Sequence, residues 1–279
     1  MKLQLAAART GVDWMRQGIR IFWRQPIALT GLFFMLLGLM TLISVVPVIG
    51  GALALVLFPT GSLGLMVGTR EALQGRFPRP KLLLAGLLGA ASVRRQMLWL
   101  GAGYALGFVG VLALSMWADG GEFARLYLLG GKLDTHTVEL PGFQTAVWTA
   151  LMLYMPLSAL FWHAPALVYW HGVPAVKSVF FSMAACLANW KAMTVYMLCW
   201  TALYAAAGLA LMIAGGLLGG MEIVGMALVP TMLMFTAMFF CSAYFTYRDS
   251  FETSEPLGDR KSTRLNSSHT DISRMPSSA

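Results

Sequence analysis

IALTGLFFMLLGLMTLISVV (27–46) and GALALVLFPTGSLGLMVGT (51–69), separated only by PVIG (47–50), decide the fold of this chain. Neither stretch holds a charged residue. Each is long enough as a helix, at about 20 residues, to cross a hydrocarbon core of about 30 Å. Inside a bilayer every backbone polar group must bond within its own segment, so two such runs joined by a short turn read as a helical hairpin. Working outward, four more runs have the same character: 97–117, 144–170, 193–215 and 223–245. The fourth span, 144–170, is long enough to tilt or kink. The expected fold class is all-α, a six-span transmembrane helical bundle.

Composition agrees. Of 279 residues, 58% are hydrophobic and 11% charged, against about 25% charged in soluble domains. A water-soluble globule is excluded, and a disordered or collagen-like chain fails on the same figures. Three cysteines without paired spacing cannot make a disulfide framework.

Lys and Arg are retained on the cytoplasmic side of membrane proteins, so their distribution orients the spans. Lys2, Arg9, Arg16, Arg20 and Arg24 precede the first span, and Arg70, Arg76, Arg79, Lys81, Arg94 and Arg95 follow the second. Lys177 and Lys191 follow the fourth, and Arg248 follows the sixth. The intervening loops hold only Arg125 and Lys132 against Asp119, Glu122, Asp134, Glu139 and Glu222. Both termini are therefore expected in the cytoplasm, and the inner membrane of a bacterium is the expected location. The first apolar run starts behind four arginines with no cleavage pattern, which argues against a secretory signal.

Segments outside the spans are amphipathic rather than polar. Over 12–24, a period of 100° per residue gathers Asp13, Arg16, Gln17, Arg20 and Arg24 on one arc, away from Trp14, Ile19, Ile21, Phe22 and Trp23. That predicts an interfacial helix on the cytoplasmic side, with Arg16, Arg20 and Arg24 contacting lipid headgroups and its aromatics at the acyl boundary. Over 175–191, Val176, Val179, Phe180, Met183, Cys186, Leu187 and Trp190 form one face, and Ser178, Ser182, Ala185 and Asn189 form a small polar strip. The apolar stretch 82–93 is too short to span and reads as a short interfacial or buried helix. Interfacial segment, outward span and inward span then recur, an order that also reads as three repeated hairpins. Pro59, Pro165 and Pro230 mark the inward members.

Residues 1–255 read as a single integral membrane domain and 256–279 as a disordered tail. From Asp259 the run DRKSTRLNSSHTDISRMPSSA resembles a translated adaptor or vector scar, and it carries no weight in functional reasoning. Without it the net charge drops from +8 to +6.

Chemistry-bearing groups inside the spans are sparse. None of the six spans contains Asp, Glu, Lys or Arg, which makes coupled ion transport and hydrolysis poor readings. His163, beside the helix-breaking Pro165, is the one ionisable candidate; it reads either as a protonatable group on a pathway or as a neutral imidazole bonded to a neighbouring helix. Cys186, Cys199 and Cys241 lie on apolar helices, where free cysteine behaves as a small hydrophobe. No metal-ligand spacing, GxSxG, HExxH or paired aspartates occur. No catalytic residue, metal site or cofactor is expected. The isoelectric point near 9.7 raises a nucleic-acid reading. The basic residues are accounted for by orientation, so anionic lipid is the expected partner, at about 1 kcal/mol for each Lys or Arg near the surface.

Ala8-Arg9-Thr10-Gly11 with Trp14, Gly18, Phe22 and Pro26 forms a distinctive opening, followed by Thr69-Arg70-Glu71 and Gly75-Arg76-Phe77-Pro78. Ala164-Pro165-Ala166-Leu167-Val168 and Ser182, Cys186-Leu187 and Asn189-Trp190-Lys191-Ala192 complete the set. Over about residues 1–255 the chain resembles the BPSS family of uncharacterised bacterial inner-membrane proteins. That resemblance implies a multi-pass inner-membrane protein and brings no catalytic residues with it. Two classes of function are compatible: a non-enzymatic structural or partner-binding protein, using the basic helices and the strip around Asn189 toward a membrane-protein partner or a second copy, or a transporter or channel for a neutral or lipid-like solute.

Overall fold

Proline and glycine punctuate the chain where its helices begin and end. The computed structural model describes residues 2–47, 49–129, 135–218 and 220–251, and the regular elements among them are helical. Helices α1 (Thr10–Arg24), α2 (Pro26–Ser44) and α3 (Gly50–Leu73) come first. Gln25 leaves helical geometry between α1 and α2, and Pro26 opens α2, where its missing N–H has no intrahelical partner to lose. A 3-10 turn (Pro80–Leu84) leads into α4 (Ala85–Leu88), α5 (Ala91–Asp119), α6 (Glu122–Leu129), α7 (Thr135–Glu139), α8 (Pro141–Trp162) and α9 (Ala164–His171). The last group is α10 (Ala175–Ala188), α11 (Trp190–Leu218) and α12 (Met221–Phe251). Turns at Gly75 and Gly172 need positive φ, 74° and 63°, which glycine adopts without a Cβ clash.

Six helical stretches are long and apolar enough to cross a membrane: α2, α3, α5, α8 continued by α9, α11 and α12. The fold is therefore an all-α six-span bundle. Sequential spans pack in pairs, α2 on α3, α5 on α8 and α11 on α12, with α3 also against α5 and α12. At 31 residues α12 is about 46 Å long, well beyond a 30 Å core.

The core is in two parts. The larger gathers Trp14, Phe22, Leu32, Leu63, Leu167 and Phe245 at the end of the bundle rich in arginine, the basic end. The smaller, Tyr104, Phe108, Leu112, Ala150 and Leu157 with Phe58 against it, joins α5 and α8 farther along. Between these clusters Gly101 closes against the Val56 carbonyl of α3, with no space for a side chain.

Two amphipathic helices pack differently from the expectation. The apolar face of α1 docks on α11 and α12 instead of lying in acyl chains: Trp14, Ile21 and Phe22 are buried. Gly11 and Gly18 make this possible, since a Cβ would meet the Tyr196 nitrogen at 2.7 Å from Gly11 and the Ser242 Cα at 2.7 Å from Gly18. On α10 the small polar strip faces inward, with Ser178, Ser182, Ala185 and Asn189 buried, while Val176, Phe180 and Leu187 face out. Small side chains permit close approach and hydroxyls find partners inside; large aliphatics in a membrane protein need none. The strip around Asn189 is thus an internal contact and not a docking surface. The stretch 82–93 divides between the 3-10 turn, α4 and the start of α5, and its Leu82–Leu83 backbone presses on Gly64 of α3. The expected tail and adaptor scar, 256–279, lie outside the described residues.

Candidate functional site

The fourth span is interrupted at His163, which separates α8 from α9. The cause is local: Pro165 has no N–H to give the Phe161 carbonyl and its ring would crowd that carbonyl. Helical geometry would pair the His163 N–H with the Ala159 carbonyl. Instead the Ser182 hydroxyl of α10 stands between them, accepting from the His163 N–H at 2.9 Å and donating to the Ala159 oxygen at 2.8 Å. One side chain from a neighbouring helix thereby restores the lost rung.

Around this splice lies a closed polar cluster. Thr246 of α12 donates to the Ala243 carbonyl at 2.8 Å and accepts from the Trp162 indole at 2.9 Å. His163 Nε2 lies 3.3 Å from the same hydroxyl, and Nδ1 lies 3.9 Å from Cys186 Sγ. Because the hydroxyl's one proton is already used, this pattern fits a neutral ring donating from Nε2, while the Cys186 thiol beside Nδ1 also lies 3.8 Å from the Ala159 carbonyl as a donor. His163 is 1% exposed, with Phe251 packed edge-on at 5.5 Å between ring centres. Burial pushes the Cys186 thiol up to about 12, so it is a weak donor and no nucleophile near neutral pH. Two donors, His163 and Cys186, fall short of a metal site, and among the described residues no group of three or more His, Cys, Asp or Glu converges.

Asn189 holds a second joint. Its Oδ1 accepts from the Ala6 N–H at 2.7 Å, and its Nδ2 donates to the Gln4 carbonyl at 3.0 Å and to Ser250 Oγ at 3.2 Å. The Gln4 N–H donates in turn to the Ser250 carbonyl at 2.9 Å. The carboxamide thus pairs with the extended N-terminal segment as a neighbouring strand would. His163 and Asn189 therefore meet α12 one turn apart, at Thr246 and Ser250. A third contact completes the series, Ser242 with the Tyr196 hydroxyl at 2.6 Å. Ser242, Thr246 and Ser250, all buried, recur every four residues on α12 and were not singled out by sequence reasoning. Their i, i+4, i+8 spacing was the available signal.

Arg16, Arg20 and Arg24 sit on the face of α1 away from the docked one. All three are exposed, and none joins an ion pair among the described residues. Beneath them the Trp14 indole donates to Asp249 Oδ2 at 2.9 Å, and Arg248 bridges Asp249 Oδ1 at 2.8 Å and Gln17 Oε1 at 3.0 Å. Arg16, Arg20, Asp13, Thr10, Gln17 and Asp249 line a polar cleft of about 360 Å³. A more apolar groove of about 550 Å³ runs between α5, α8 and α10.

The chain is 39% identical over 259 residues to the probable inner membrane protein BTH_II0599 of Burkholderia thailandensis, a match covering 92% of this chain and 96% of that protein. No family model matches the chain, and no solved structure matches it. Six apolar helices and that relative together make it a multi-pass inner membrane protein. The chain belongs to the same family as the probable inner membrane protein of Burkholderia thailandensis.

Proposed function

We propose that this protein is a non-enzymatic structural or partner-binding component of the inner membrane. Its basic end and both termini face the cytoplasm, and Arg16, Arg20 and Arg24 rest against anionic headgroups. One observation carries the reading: the groups best suited to chemistry, His163, Cys186, Ser182 and Thr246, use their bonding capacity in joining α8, α9, α10 and α12 to one another. Among the described spans the α11–α12 hairpin offers the least covered surface to a partner, since only 6% of the most apolar stretch of α11 is buried within the chain. Leu198, Leu209 and Met212 on α11 and Met226 and Val229 on α12 face outward there.

Photocrosslinkers at Leu209 and Met212 in the native membrane test this. A discrete protein adduct is expected, retained when His163→Gln is added; lipid adducts alone, or loss of the adduct with His163→Gln in a folded protein, would overturn the proposal. The break at His163 also favours a second reading, passage of a neutral or lipid-like solute, because a discontinuous span is a common feature of transport sites. Protein-dependent movement of a labelled lipid across reconstituted vesicles would choose that reading instead.

A further inference from the structure

The groove between α5, α8 and α10 has an electrostatic character that its apolar walls do not suggest. Gln96, Trp99, Gly103, Phe161, Val176 and Val179 line it, and it opens away from the bundle, with Trp99 68% and Val176 84% exposed. Gly103 keeps the floor low, its nearest neighbour a Phe161 ring atom 3.7 Å from where a Cβ would stand. At the rim Gln96 Oε1 accepts the N–H of Ala175, the first residue of α10, at 2.9 Å, which sets the start of α10 beside α5.

Both helices begin at this end, so the positive ends of two helix dipoles lie together. Arg94 and Arg95 on α5 and Lys177 on α10 are exposed in the first turns, and α5 has no acidic residue before Asp119 while α10 has none. Arg95 stands one turn before Trp99, on the flank of the groove. An apolar trough facing lipid, headed by cations and helix N-termini without a carboxylate, is complementary to one class of molecule.

We propose that this groove holds an acyl chain of an anionic phospholipid, with its phosphate against the first turns of α5 and α10. The site is separate from the arginine face of α1 and independent of the partner-binding reading above. A zwitterionic phospholipid fills the same walls and carries the same phosphate, but its choline cation is repelled by the basic end of the groove, so its net attraction there is weaker.

Native mass spectrometry of the delipidated full chain, titrated with phosphatidylglycerol or with phosphatidylcholine of the same acyl chains, tests the assignment. The expected result is one tightly retained phosphatidylglycerol, bound several-fold better than phosphatidylcholine. Arg95→Gln should weaken phosphatidylglycerol alone by about fivefold. Val176→Trp, at an exposed rim position that does not threaten folding, should weaken both lipids by covering the trough. Equal binding of the two lipids, a preference unchanged in Arg95→Gln, or a preference lost instead with Arg16→Gln/Arg20→Gln would overturn it.

Discussion

Ser182 illustrates how much one hydroxyl can carry. Removing it leaves the buried His163 N–H without its partner and the part-buried Ala159 carbonyl with only the Cys186 thiol at 3.8 Å, and Pro165 prevents the span from closing over the gap as a regular helix. Ser182→Ala should therefore destabilise the protein by about 1–3 kcal/mol. Ser178→Ala, on the same face of α10, removes only a bond to its own helix at the Ala175 carbonyl and should change stability by about 0.5 kcal/mol or less. Denaturant unfolding of the purified variants checks this; equal costs would remove the splice from the account. Cys186 gives a chemical check on the same cluster. Its thiol lies at about 12 when folded against 9.0 as an ordinary value, so raising the pH from 7 to 9 should not expose it to a maleimide, whereas unfolding should. The sign follows for stability: the proton is held more tightly in the folded state, so this residue's contribution is intact below pH 9 and declines from there toward 12. His163, Pro165 and Asn189 were legible in the sequence as unusual residues, because a histidine, a proline and an asparagine stand out in apolar helices. Ser182 was legible only as a member of the polar strip, and Thr246 and Ser250 were not, because hydroxyls are common in membrane helices and the pairing is set by tertiary contact.

At the level of the helix, period and length carried the reading of the spans, since no competing structure suits uncharged runs of that length. The same wheel that separated the two sides of α1 could not say what the apolar side would touch, because lipid and protein are nearly equivalent surroundings for Trp14 or Phe22. Glycine decides between them. Gly11 and Gly18 share the buried face with Trp14 and bring the α1 backbone onto α11 and α12. Gly18→Ala would drive a methyl group into Ser242, so it should cost about 1–3 kcal/mol and shift the Trp14 emission toward the red as α1 lifts. At Gly38 of α2 nothing lies within 4 Å of where a methyl group would stand, and Gly38→Ala should be neutral or stabilising by up to about 1 kcal/mol. Thermal or denaturant unfolding of the two variants provides the comparison. If both alanines behaved alike, close backbone contact would not be what holds α1.

Across the whole molecule, cohesion is uneven. The larger core, the Asn189 joint and the Trp14–Asp249 contact all lie at the basic end, while α11 has little of its length covered. On the orientation we propose from the charge asymmetry, this end is cytoplasmic and an even number of spans returns the chain to that side. Single cysteines in a background with Cys186, Cys199 and Cys241 replaced can test this directly with a membrane-impermeant maleimide. Phe77→Cys, between α3 and α5, and His171→Cys, at the C-terminal end of α9, should label only after the membrane is permeabilised. Trp117→Cys, at a residue 97% exposed near the far end of α5, should label in intact spheroplasts. The pattern must alternate as a set: labelling of Phe77→Cys from outside would invert the bundle, and matching accessibility for Phe77→Cys and Trp117→Cys would break the six-span topology, because α5 would then not cross. Inversion would also carry the groove at Trp99 and the arginines of α1 to the opposite leaflet, so the result fixes which face of the membrane supplies their lipid.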